Sequence, residues 1–286
     1  RSSAHTLCSF DSGSILAHRS NQSTLGRVQI SAAGSIFTIR RMETHEFQDR
    51  HVLVTGGAGG IGSACARHFL ERGAKVTLVD VDAQRLQQTR IALGFPERTG
   101  TQVSYLSNAH ECALAAQAAG EPLYALVHMA GLFEQDPLDA EDRSVWDRAI
   151  ASNLTTAYEA VLAFREVRDP GETTRVVLCT SRAFQRGMPG SAAYAAAKGG
   201  IVGLVRSFSR DLAPRTLVNA VSPGLIRTRM TSDLVAAMGP ERLAEIPLGR
   251  FGEPEDVAGV VGFLCGGAAS YVTGQVITVD GGVING

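Results

Sequence analysis

The sequence predicts an α/β domain built on a doubly wound, parallel sheet of seven strands. From about residue 47 onward, short apolar runs alternate with helix-spaced segments, which is how parallel strands joined by crossover helices read in a chain. Several of the runs, such as Val52-Leu53-Val54 and Val176-Val177-Leu178, are apolar at consecutive positions, as a sheet covered on both faces requires. The first run passes directly into a glycine-rich turn and a helix, an arrangement suited to an anion at the strand end.

The first strand is expected at His51–Val54, before the turn Thr55–Gly62. Ile61, Ala64, Cys65, His68 and Phe69 then recur on one helical face up to Arg72, and Gly73 ends that helix. The later strands are expected at Lys75–Val79, Gln102–Leu106, Leu123–His128, Arg175–Cys179, Thr216–Val221 and Val276–Val279. Helices are expected over 111–119, Ser144–Val167, Ala192–Leu212 and Val257–Leu264. Neither an internal repeat nor an interdomain linker interrupts the pattern, so residues 47–286 read as one domain.

Residues 1–46 stand apart, with nine Ser, several Arg and only Asp11 and the closing Glu43 and Glu46 as acids. That composition fits a transit peptide or an upstream-translation remnant ahead of Met42, and the missing amphipathic period favours the second. Removing residues 1–41 is therefore expected to leave fold and activity unchanged.

Of 286 residues, 44% are hydrophobic and 19% charged, with a net charge of −1, so nothing favours nucleic acid or an anionic membrane surface as partner. Every uncharged apolar stretch is too short to span a bilayer. Cys8, Cys65, Cys112, Cys179 and Cys265 are odd in number and contain no C-x-x-C pair. They read as thiols in a reducing, cytoplasmic setting rather than as disulfides or a metal site.

The turn Thr55-Gly56-Gly57-Ala58-Gly59-Gly60-Ile61-Gly62 fits two registers, Gly57/Gly59/Gly62 and Gly56/Gly60/Gly62. In either, bare amides and the positive helix end would face a pyrophosphate. Asp80 closes the second strand where a carboxylate would bind an adenosine ribose. A carboxylate there favours NAD and repels the 2′-phosphate of NADP. The residues after it, Val81, Asp82 and Ala83, bring no cation before Arg85.

Tyr194 and Lys198 are four residues apart in a helical segment and so share a face. An ammonium beside a phenol would draw the phenol's pKa from about 10 toward the working range of an acid/base catalyst. Ser181 follows the Arg175–Cys179 strand at the sheet edge where ligands bind, though a turn hydroxyl would occupy the same place.

Taken together, these motifs resemble the short-chain dehydrogenase/reductase family in its single-domain branch, over about Gln48 to Gly286. Thr55–Gly62 matches that family's T-G-x-x-x-G-x-G, selecting Gly56, Gly60, Ile61 and Gly62 as cofactor residues. Tyr194 and Lys198 match its Y-x-x-x-K, Ser181 its substrate serine, and Asn153 its helix asparagine. Pro223, Gly224 and Thr228 match the loop that grips the nicotinamide, and Tyr271–Gln275 with Val279–Gly282 resemble its final strand.

The resemblance implies a Rossmann-like oxidoreductase moving a hydride between NAD and an alcohol or carbonyl substrate, as a homotetramer. Tyr194 would exchange the proton, Lys198 would lower its pKa and bind the nicotinamide ribose, Ser181 would bond the substrate oxygen, and Asn153 would hold a relay water. Two departures stand out. His128-Met129-Ala130-Gly131 replaces N-N-A-G; Ala130 and Gly131 still allow close approach of the adenosine ribose, and His128 reads as a satisfied core histidine. Ser107-Asn108-Ala109 replaces the acid expected near the adenine.

The substrate lid is expected over Leu225–Glu253, mixing Met230, Leu234, Val235, Met238, Leu243 and Ile246 with Arg227, Arg229, Arg242 and Arg250. With Arg182 and Arg186, these cations fit an acidic substrate or simple solvation. Within the class, 3-oxoacyl-carrier-protein reductase-like or sugar dehydrogenase-like activity is the alternative. A non-catalytic NAD-binding regulator would not need the intact Ser181, Asn153, Tyr194 and Lys198 set, and the glycine spacing disfavours a sugar-nucleotide epimerase.

Overall fold

The computed structural model describes residues 45–139, 141–232, 235 and 243–284. The segment up to residue 44, and Leu234, Met238 and Arg242 of the expected lid, lie outside the described residues. Seven parallel strands form one sheet in the order β3-β2-β1-β4-β5-β6-β7. They are β1 (His51–Thr55), β2 (Lys75–Asp80), β3 (Thr99–Val103), β4 (Ala125–His128), β5 (Thr174–Cys179), β6 (Thr216–Pro223) and β7 (Val276–Val279). The winding direction reverses between β1 and β4, which opens a crevice beyond their C-terminal ends.

On one face pack α1 (Gly60–Leu70), α2 (Ala83–Leu93) and α8 (Pro254–Cys265); their core includes Phe69, Leu86 and Leu264. The other face carries α3 (Ala109–Gln117), α5 (Thr156–Val167) and α7 (Ala192–Asp211), around Leu126, Phe164 and Ile201. Burying large apolar side chains on both faces is what the continuous apolar strands require. Helices α1 and α8 approach closely because position 262 lacks a side chain: a methyl group there would lie 2.0 Å from His68 Nε2.

Three elements depart from the expectation. Strand β3 runs Thr99–Val103 rather than Gln102–Leu106. The chain leaves the sheet at Ser104, and Leu106 is buried through a left-handed turn with φ 54°, so its apolar character marks a turn and not a strand. The expected Ser144–Val167 helix is one rod interrupted by a π-helical stretch at Ile150–Thr155, between α4 (Ser144–Ala149) and α5. Helix α2 was not foreseen because it buries only Leu86 and Leu93. Its ends are marked by caps instead: the Asp82 carboxylate accepts from Arg85 N, and Gly94 takes a left-handed conformation. A short α6 (Ala183–Arg186) follows Ser181. No helix among the described residues is long and apolar enough to cross a membrane.

Candidate active site

A cavity of about 600 Å³ opens at the β1/β4 crevice, lined by the glycine turn, Asp80, Gly131, Ser181, Tyr194, Lys198 and Thr228 among others. Its size is that of a small-molecule or cofactor site. Gly56 has φ 64°, and a Cβ on it would lie 2.8 Å from Ala130 N. One on Gly62 would lie 2.2 Å from Gly56 O, and one on Gly60 would lie 2.9 Å from the Thr228 methyl. A Cβ on Gly57 would lie 2.9 Å from Leu78 Cβ, so the packing excludes side chains along the turn in both registers. The first amides of α1, at Gly60, Ile61 and Gly62, have no partner within their own helix, and no side chain caps them. This cradle fits the diphosphate of a dinucleotide.

Asp80 ends β2 half-buried at the cavity wall. Its carboxylate accepts from Ala58 N at 3.1 Å and Asp82 N at 3.3 Å, which anchors it to the glycine turn. Arg85 also lines the cavity, but its Nε donates to the Asp82 carboxylate. The nearest cation is therefore held by another acid.

Tyr194 and Lys198 project from one face of α7, and Ser181 lies just beyond β5. Burial pushes the Tyr194 phenol above its usual pKa and the nearby Cys179 adds to the rise, against a hydrogen bond with Ser181 that pulls it down. The expected depression by Lys198 is not what this geometry produces. The ammonium sits 5.7 Å from the Tyr194 ring centroid and donates to Cys179 O at 2.9 Å. Burial lowers the Lys198 pKa in turn. Ser181 Oγ also accepts from Ala183 N at 3.2 Å, so the turn role is real alongside its bond to Tyr194.

Asn153 is fully buried in the π-helical stretch. Its Nδ2 donates to Leu132 O and Ala149 O, and its Oδ1 accepts from Leu132 N. A Cβ at Gly131 would lie 2.5 Å from Asn153 Oδ1 and 3.1 Å from Lys198 Nζ. The bareness of Gly131 therefore makes room for the Asn153 and Lys198 side chains. Ala130 lies beside it, its N–H donating to Thr55 Oγ1.

His128 is the buried core histidine expected. Nδ1 contacts Thr55 Oγ1 at 2.9 Å and Nε2 contacts Thr156 Oγ1 at 3.5 Å. Thr156 spends its own proton on Ser152 O, so Nε2 donates and Nδ1 accepts from Thr55. Burial, with Lys198 nearby, takes the ring's pKa down to about 3.

Pro223 closes β6. Gly224 passes so close to Asp280 that a Cβ would lie 2.6 Å from the aspartate Cβ, and Thr228 is locked to Thr231 by paired hydrogen bonds. Sequence reasoning missed Cys179, Thr180, Met129, Ser104, Tyr105 and Leu106, which also line the cavity. Cys179 and Thr180 were open to discovery because they directly precede Ser181. At the β3 end, the departing stretch Ser107-Asn108-Ala109 is not part of the cavity wall: Asn108 caps α3 through Glu111 N, and Tyr105 lines the cavity there. Of the arginines noted above, Arg186, Arg227 and Arg250 pair with Glu245, Glu253 and Asp256, while Arg229 lines the cavity. A second cavity of about 530 Å³, between residues 246–252 and the end of β7, touches none of Asn153, Ser181, Tyr194 and Lys198.

Residues 56–284 match the sequence pattern of the family described as enoyl-(acyl carrier protein) reductase. The chain is 33% identical over 237 residues to a 3-oxoacyl-(acyl-carrier-protein) reductase of Thermotoga maritima, covering 81% of this chain and 96% of that one. It is 34% identical over 258 residues to 2-(S)-hydroxypropyl-CoM dehydrogenase 3 of Xanthobacter autotrophicus, covering 84% and 98%. Among solved structures it superposes on a short-chain dehydrogenase/reductase, a glucose/ribitol dehydrogenase from Brucella melitensis, with a TM-score of 0.81, 37% identity and coverage of 84% and 99%.

Proposed function

Because this chain belongs to the short-chain dehydrogenase/reductase family, whose members are oxidoreductases acting with a nicotinamide cofactor on alcohol or carbonyl carbons, we propose that it is an NAD(H)-preferring enzyme with Tyr194 as proton donor and acceptor. The nicotinamide cofactor supplies the hydride; the chain supplies position and proton control. The observation that carries the reading is the convergence of Ser181, Asn153, Tyr194 and Lys198 on the same cavity as the Gly56–Gly62 cradle and Asp80.

In this reading the diphosphate lies on Gly60, Ile61 and Gly62, and Asp80 accepts from the adenosine ribose hydroxyls. Ala130 and Gly131 line the middle of the cleft, and Pro223, Gly224 and Thr228 border the nicotinamide. Ser181 orients the substrate oxygen and Tyr194 transfers its proton. Lys198 holds the nicotinamide ribose, and Asn153 sustains the proton path behind it. A phenol kept above its usual pKa is protonated at neutral pH, the state that donates to a carbonyl oxygen during reduction. NAD is favoured over NADP by the Asp80 carboxylate and by the engagement of Arg85 with Asp82.

The substrate is a small alcohol or ketone, with a 3-oxoacyl thioester or a sugar as the finer candidates, in keeping with the relatives above. The pairing of Arg186, Arg227 and Arg250 with Glu245, Glu253 and Asp256 lessens the case for an acidic substrate. The working unit is residues 47–286, acting in the cytoplasm as a homotetramer. Partly exposed Trp146, Tyr158 and Phe263 and fully exposed Tyr271 offer apolar surface for subunits to cover.

The test is a panel of alcohols, sugars and 3-oxoacyl thioesters, followed by reduced-nicotinamide absorbance with NAD(H) and NADP(H) in parallel. No turnover on any class, or equal use of NADP(H), would remove the reading. Light scattering giving a monomeric mass at micromolar concentration would remove the tetramer.

A further inference from the structure

Helix α7 carries both Tyr194 and Lys198, so the placement of its first turn sets the placement of the phenol. Ser191 occupies the cap position and is a residue type that normally caps its own helix. Here it does not: its side chain makes no capping bond, and its hydroxyl is buried without a partner. The cap comes from elsewhere. Asp136, 57 residues earlier in the loop after β4, accepts from Ala193 N through Oδ2 at 3.2 Å. Its other oxygen accepts from Leu138 N at 2.9 Å, and its own N–H donates to Gly190 O at 2.7 Å. A carboxylate at this end also complements the helix dipole.

The residues just before Asp136 are tied to the same machinery. Leu132 holds both ends of the Asn153 amide. The Phe133 ring meets the Tyr194 ring edge-on, with centroids 5.2 Å apart and an interplanar angle of 86°. Glu134 pairs with Arg148 of α4 at 2.9 Å. One short segment thus reaches Asn153, Tyr194, α4 and the start of α7.

We propose that Asp136 is a positioning residue for catalysis, acting as a long-range cap that locks the start of α7 to the 132–136 segment and so sets Tyr194 against the substrate. The proposal rests on the reading of Tyr194 as the proton donor. It does not give Asp136 any contact with substrate. A displacement of about 1 Å in a reacting group can cost ~10²-fold in rate, so a loosened cap is expected to show in kcat.

The experiment compares the full chain with Asp136→Ala and Asp136→Asn, by backbone hydrogen exchange and by steady-state kinetics on the panel substrate that turns over fastest. In Asp136→Ala, amides at 192–196 should exchange at least ~10-fold faster, with β1 and β2 unchanged. Its kcat should fall about 10-fold while cofactor affinity stays within twofold. Asp136→Asn keeps an acceptor oxygen in place and should recover kcat to within about threefold of wild type. Should Asp136→Ala fail to fold, Asp136→Gln, which displaces the oxygen by one methylene, takes its place.

Unchanged exchange at the start of α7 would overturn the proposal, because the cap would then not form in solution. So would faster exchange with kcat within twofold of wild type, which would leave the cap a structural role only. If Tyr194→Phe retains turnover while Asp136→Ala loosens α7, the fault lies in the Tyr194 reading rather than in the cap. The proposal is overturned in that case too, since it needs both.

Discussion

At the Tyr194 end of the cleft, Lys198 is 4% exposed and Asn153 0%, and their polar atoms are bonded to backbone carbonyls of other elements. At the Asp80 end, the carboxylate is half-buried, Arg85 is paired locally with Asp82, and Tyr105 is 71% exposed. The first end is buried, with Lys198 held by the Cys179 carbonyl and Asn153 by the Leu132 backbone, partners distant in the chain. The second is a few side chains on two strand ends. Buried polar networks resist change because a broken bond leaves a desolvated group unpaired. Exposed groups are screened and can be exchanged at small cost. Reaction type should therefore be robust in this fold and cofactor choice easily altered, and four substitutions test that contrast.

The largest effect is expected for Tyr194→Phe. It keeps the ring against Phe133 and removes only the hydroxyl, so turnover should fall ~10²–10⁴-fold with cofactor affinity, read by fluorescence titration, unchanged. Retention of more than about a tenth of the turnover would place the proton donor elsewhere.

Asp80→Ala acts at the opposite end. Hydrogen bonds to a charged group are worth ~1.5–3 kcal/mol, so the NAD/NADP ratio of kcat/KM should shift about 10–100-fold toward NADP. Because Asp80 also anchors Ala58 N, both cofactors should bind less tightly; the ratio separates the charge effect from that loosening. An unchanged ratio would mean the preference originates elsewhere.

Gly131→Ala probes the boundary between the two regions. Its methyl would press on Asn153 Oδ1 and Lys198 Nζ at 2.5 and 3.1 Å. Overpacking of this kind costs ~1–3 kcal/mol. We expect a lower melting temperature and about tenfold lower turnover, with the NAD/NADP ratio unaffected. A change in that ratio would show that the two ends are not separable.

The smallest effect concerns acid. His128 and His68 are held at about 3 and about 4, below the ordinary 6.5, chiefly by burial. The native chain thus declines protons that the unfolded chain accepts. The stability these histidines contribute is complete above pH 6.5 and is lost as pH falls toward 4. His128→Asn removes one such site, so its melting temperature should decline less steeply between pH 6.5 and 4, by about 2–4 °C per pH unit. A decline parallel to wild type would mean His128 takes up its proton in the native state.

Much of this was legible in the chain. The seven strands alternate with amphipathic helices because parallel sheets demand it, and the Gly56–Gly62 and Tyr194–Lys198 spacings are local signals that survive without a structure. Helix α2 and strand β3 were missed or misplaced because Gln87, Gln88 and Thr99-Gly100-Thr101 carry little apolar period. Their positions are set by caps and by pairing with β2. The π-helical stretch around Asn153 leaves no mark in the sequence, since Ile150–Thr155 contains neither proline nor glycine to signal a break in the helix.

By itself, the sequence determined the sheet, the glycine turn after β1, the acid that ends β2, and the tyrosine–lysine pair, because each follows from residue type and spacing along the chain. Only the tertiary structure decided that Lys198 bonds the Cys179 carbonyl, that Tyr105 rather than Ser107 or Asn108 lines the cleft, and that Asp136 caps α7. Those are contacts between residues far apart in the chain, and their partners are set by how the layers close rather than by any local preference.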